Sequence, residues 1–150
     1  MPFSYRRIRF LPIKEFLFLW LVKKNTKNQT CLEAGEEAQF AIFGDQMKGF
    51  ATKGEPDVHH INKWLVDNCF GDYYTRSSLD YAERELLTFC YLYSQGGCEP
   101  QLKGHIAANL YLGNDKTLLI AVISACIPYI GYPRTLNALS CINEVANAQQ

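Results

Sequence analysis

From position 33 onward, apolar residues recur every three or four positions, and no stretch carries the two-residue alternation of a half-buried strand. Apolar stripes at that period are buried by packing helix on helix, so the expected fold class is all-α. At 150 residues the chain is long enough for one domain with a sizeable core. The spacing predicts a helix from Glu33 to about Phe50, with Ala38, Ile42, Phe43, Met47 and Phe50 inward and Gly54 as its break. Pro56-Asp57 opens a second helical stretch with Ile61, Trp64, Leu65 and Cys69 inward, and Phe70 to Arg76 reads as an aromatic connection. Ser77 or Ser78 is expected to cap a helix running to about Gln95, with Leu86, Leu87, Cys90 and Tyr91 on its apolar side.

The stretch from Gly96 to Leu110 holds the one constellation that looks like chemistry. A glycine pair ends the preceding helix and Cys98 opens the next. Pro100 suits the first turn, where its missing N–H has no partner to lose. Leu102, His105, Ile106, Asn109 and Leu110 form a stripe, which puts His105 on the face turned to the core. Cys98 lies two turns earlier on nearly the same face by helical count. Asn114-Asp115 can cap a further helix that is apolar almost all round (Leu118, Leu119, Ile120, Val122, Ile123, Cys126, Ile127), which implies burial in the domain or in an oligomer interface. Tyr129 and Tyr132 read as core residues near a turn. Gly131 ends that helix, and Pro133 opens the last one, which reaches about Ala148.

Charge is unevenly placed. Residues 1–30 carry a net +6 and the remainder −6, and an acidic body argues against a nucleic-acid surface. Residues 1–30 are read as an N-terminal extension, with 31–150 as the helical domain. The run Phe16 to Val22 is too short for a bilayer, which needs about 20 apolar residues, so no membrane span is expected. Of the six cysteines, Cys90, Cys126 and Cys141 sit within apolar patterns and read as small buried hydrophobes, which favours a reducing cytoplasm over a disulfide framework. Adjacent His59 and His60 face different sides of a helix and make a poor metal pair. No metal site and no cofactor are expected.

Four stretches together resemble the carboxymuconolactone decarboxylase family, which includes the alkylhydroperoxidase-like proteins: Phe70 to Arg76, Glu83 to Phe89, Gly96 to His105, and Ile130 to Leu139. The resemblance covers about residues 42–145. It implies an alkylhydroperoxidase-like helical bundle that assembles into homo-oligomers, with a site buried between helices. The peroxidase branch uses a glutamate, a Cys-x-x-Cys pair and a histidine. Glu85, Cys98 and His105 match the glutamate, the first cysteine and the histidine, while Gln101 stands where the second cysteine would be.

The resemblance supports two activities, of which the thiol peroxidase comes first because Cys98 stands at the thiol position, with the decarboxylase as the alternative. As a thiol peroxidase (peroxiredoxin-type), Cys98 would attack a hydroperoxide, His105 would assist proton transfer, Glu85 would orient His105, and an external thiol would act as reductant, since Gln101 cannot resolve a sulfenic acid. As a cofactor-free decarboxylase of a small carboxylated lactone, His105 would be the acid/base and Cys98 would only line the pocket. For an anionic substrate, Lys103 and Arg134 are the nearest cationic candidates. A non-catalytic oligomeric helical domain is the remaining alternative.

Overall fold

The computed structural model describes residues 29–148, and among them there is helix and turn but no strand. The all-α expectation holds. Residues 1–28 of the N-terminal extension lie outside the described residues, and Thr30 caps the first helix.

Helix α1 spans Cys31–Phe43. It starts at a capping box: Glu33 N–H donates to the Thr30 hydroxyl, and Thr30 N–H donates back to the Glu33 carboxylate at 2.8 Å. Two N–H groups that the helix itself leaves open are thus satisfied. It ends earlier than the apolar stripe suggested. Gly44 adopts φ 78°, in the left-handed region, and stops the helix before Met47 and Phe50 can join it. Short 3₁₀ turns follow at Asp45–Met47, Phe50–Thr52 and Pro56–Val58.

Helix α2, His59–Trp64, runs directly into a π-helical segment, Leu65–Tyr73. The expected connection at Phe70–Tyr73 is therefore helical. Val66, Phe70 and Tyr74 are buried along this stretch, whereas Ile61 and Trp64 on α2 are more than half exposed, against the expectation that they face inward. Helices α1 and the π segment touch backbone to backbone. A Cβ on Gly35 would meet the Val66 carbonyl oxygen at 2.0 Å, and one on Gly71 would meet the Cys31 carbonyl oxygen at 1.8 Å.

Helix α3 is Tyr81–Gln95. Its N-cap is Asp80, in a second capping box with Glu83, rather than Ser77 or Ser78. Its buried residues are Glu85, Phe89 and Tyr93; Leu87 and Tyr91 lie outward. Helix α4 is Glu99–Tyr111, with Cys98 as its N-cap. Helix α5 is Lys116–Ala148, started by Asp115, which accepts from Leu118 N–H. It is interrupted at Gly131 (φ 77°, ψ 167°), as the glycine and Pro133 implied.

Two apolar clusters form. In one, Phe89 and Tyr93 of α3 and Leu102 and Ile106 of α4 pack on Leu119, Ile123, Ala138, Cys141 and Ile142 of α5. In the other, Ala38 and Ile42 of α1 meet Phe70, Tyr74 and Ala108. Helix α4 is the wall between them, and the polar site lies along its seam with α3.

Candidate functional site

Glu85 is fully buried on α3, among apolar residues, and a carboxylate there must find donors. It finds two. His105 Nδ1 lies 2.6 Å from its Oε2, and the Tyr74 hydroxyl donates to its Oε1 at 2.9 Å. An ionised carboxylate only accepts, so the ring proton facing it sits on Nδ1, and Nε2 at the far edge is the nitrogen left for a substrate. The His105 side chain keeps 17% of its surface, against none for Glu85.

Neighbouring groups fix the pair. The ring of Phe43, the last residue of α1, packs edge-on against the imidazole at 5.3 Å between centroids, and Phe43 in turn meets Phe70. Asn109, fully buried, donates to the backbone carbonyls of Glu85 (3.0 Å) and His105 (2.8 Å), and its own oxygen accepts from Asn114. It thereby ties α3 to α4 at the two catalytic candidates. The Tyr74 hydroxyl also meets Thr88 Oγ1 at 2.5 Å. Burial and the Glu85 charge push the Tyr74 hydroxyl above the usual phenol range, so it stays protonated and donates. The same two causes push the Cys69 thiol up, which makes it a poor nucleophile.

The structure brings Glu85 and His105 together and takes Cys98 elsewhere. Cys98 is the cap of α4 and has non-helical dihedrals (φ −134°, ψ 38°), so the helical count back from His105 does not apply to its side chain. Its thiol donates to the Leu92 carbonyl at 3.3 Å, in a crevice lined by Tyr93, Gly96, Leu102, Arg134 and Ala138. That crevice has a free volume of about 10 Å³, enough for at most one water. Gln101 occupies the position one turn from His105 and is exposed. Neither cationic candidate is free: Lys103 pairs with Glu144 at 2.6 Å, and Arg134 donates to the Gln95 carbonyl at the end of α3. Glu83, two positions before Glu85 on α3, is engaged in the capping box. Among the described residues no cluster of three or more His, Cys, Asp or Glu side chains could hold a metal ion.

The sequence reading missed Tyr74, Thr88 and Phe43. Tyr74 follows a π-helical stretch, where the 3.6-residue period no longer predicts facing. Phe43 was read as core without its contact to His105.

The model of the carboxymuconolactone decarboxylase family matches residues 60–144, more than half of the chain, spanning Glu85, Cys98 and His105. The chain belongs to this family. Helix α1, with Phe43, lies before the matched stretch, so this carboxymuconolactone decarboxylase-family chain packs an element from outside the match against its central histidine. No curated protein matches the chain.

Proposed function

We propose that the chain is an acid–base enzyme, a cofactor-free decarboxylase or related lyase acting on a small carboxylated lactone, with His105 as the proton carrier. The observation that carries this reading is the Glu85–His105 contact at 2.6 Å, which engages Nδ1 with a buried carboxylate and leaves Nε2 as the ring nitrogen for a substrate. When CO₂ leaves, its bonding electron pair stays on carbon as an enolate of the lactone carbonyl. The Nε2 proton of imidazolium goes to that carbon, and solvent reprotonates the ring. Glu85 stabilises the imidazolium and fixes the ring's orientation. The test is CO₂ release from a panel of γ-lactone acids. His105→Gln and Glu85→Gln should each lose about 10²–10⁴-fold in turnover, while Cys98→Ser stays near wild type.

A second reading, a thiol peroxidase with an external thiol reductant, has one observation in its favour. Cys98 stands at the N-cap of α4, at the thiol position of the family's peroxidase branch. The water-sized crevice and the missing second thiol weigh against it. Peroxide consumption with thiol reductants, abolished in Cys98→Ser and accompanied by a trapped sulfenate, would overturn the first reading if no lactone acid is turned over.

The reading includes assembly as a homo-oligomer and residence in a reducing cytoplasm. The first is supported by aromatic rings left exposed on α5, the second by the free thiols of Cys69, Cys90, Cys98, Cys126 and Cys141.

A further inference from the structure

Four side chains from three elements form one hydrogen-bonded line: Thr88 (α3), Tyr74 (at the end of the π segment), Glu85 (α3) and His105 (α4). We propose that Tyr74 is a positioning residue that, supported by Thr88, sets how readily the Glu85–His105 pair takes up a proton.

The direction of each bond follows from the groups. Tyr74 has one proton and gives it to the Glu85 carboxylate, which cannot donate. Thr88 must then donate to the Tyr74 oxygen. Each bond polarises the next, so the Thr88 hydroxyl strengthens the donation of Tyr74 to Glu85. Hydrogen bonds to the ionised form of a carboxylate stabilise it. The pair has net charge −1 when His105 is neutral and zero after one more proton enters. The Tyr74 bond stabilises the −1 state more, because in the neutral state imidazolium compensates the carboxylate or the proton sits on it. Tyr74 therefore lowers the pH at which the pair binds that proton. The proton belongs to the pair, not to one residue.

The other groups facing this line are few. From the π segment comes Cys69, whose thiol stays protonated under burial and the Glu85 charge. From α3 comes Arg84, which feels the Tyr74 hydroxyl and donates to the Leu79 and Arg76 carbonyls. From α1 comes the apolar ring of Phe43, and α4 contributes Asn109, which is neutral. Two side chains, Tyr74 and His105, hydrogen-bond the Glu85 carboxylate among the described residues. The Tyr74 ring is seated on Phe70, at 4.7 Å between centroids, so the hydroxyl is aimed by packing rather than by chance rotation.

The inference rests on the acid–base reading for its consequence in turnover, but its test needs no substrate. The imidazole of His105 is followed by NMR on histidine-labelled full-length protein across pH. Tyr74→Phe should raise the midpoint of its titration by about one pH unit, a tenfold change in proton affinity. Thr88→Val should move it in the same direction by less. Incorporating 3-fluorotyrosine at position 74, a stronger donor of nearly unchanged shape, should move it down, and it decides the matter if Tyr74→Phe does not fold. In lactone turnover, the alkaline limb of the pH profile, where the pair has lost the proton it delivers, should shift with the NMR midpoint. A midpoint that stays put in folded Tyr74→Phe, or that moves the same way for removal and for fluorination, overturns the proposal. Absence of any lactone turnover overturns only the functional reading, and the titration still decides the role of Tyr74.

Discussion

Asn109 is hydrogen-bonded through both polar atoms of its amide and is fully buried. Replacing it by alanine leaves a cavity and removes an acceptor from Asn114. Asn109→Ala should lower stability by about 2–3 kcal/mol in urea unfolding and loosen Glu85 against His105. A second residue-scale expectation concerns acid. The backbone N–H and hydroxyl of Thr30 hold the Glu33 carboxyl below its ordinary value. A carboxylate depressed in the folded state contributes stability that is present above its unfolded value, about 4.3, and lost as pH falls through the folded value. Glu33→Gln should therefore make α1 helicity, measured by circular dichroism of the full chain, less steep in pH below that point. At this scale the sequence was informative where a residue sits inside a regular helix. Leu102, Ile106 and Asn109 are buried as their spacing implied, and His105 faces Glu85. It misled at Cys98, because a cap residue does not share the dihedrals on which the periodic argument depends.

At the scale of elements, two glycines decide where Tyr74 and Phe43 stand. Gly35 and Gly71 let α1 and the π segment approach until backbone meets backbone. Gly71→Ala would drive a methyl group into the Cys31 carbonyl, and that oxygen cannot move without the helix. The expected cost is about 3 kcal/mol or more, with the His105 NMR signal displaced because α1 carries Phe43 away from the ring. Gly104 is the control: it lies inside α4, one residue before His105, and an added Cβ meets nothing. Gly104→Ala should raise stability by about 0.5–1 kcal/mol and leave the His105 signal in place. Thermal melts of the two variants side by side check both. The glycines were visible in sequence only as glycines. Nothing in the pattern distinguished a contact glycine from a tolerated one, because the distinction lies in a long-range neighbour. The π segment was illegible for a related reason. Its buried side chains, Val66 and Phe70, with Tyr74 just beyond, were not on the expected stripe, and Ile61 and Trp64 of the preceding α2 turn outward.

For the whole molecule, the question is what faces the outer side of α5. The sequence marked this helix as too apolar for solvent, and the structure covers only one side of it. Leu119 and Ile123 are in the core, but Tyr129 is 87% exposed, Tyr132 67% and Leu136 59%, so the reading of both tyrosines as core residues does not hold. Length and composition alone would let Lys116–Ala148 cross a bilayer. The break at Gly131 argues otherwise: neither arm reaches the about 20 residues a span requires, and the second carries Arg134 and Glu144, each bonded to another part of the chain. A second copy of the chain is the occupant we expect. Rings clustered around a helix break provide rigid apolar area with polar tips, as an interface core requires. Sedimentation at micromolar concentration should show a homo-oligomer. Tyr132→Glu together with Leu136→Glu should shift it to monomer with helicity retained, since both positions are outside the core. A wild-type chain that sediments as a monomer would refute this assignment, and unchanged assembly in the double variant would place the interface on another face.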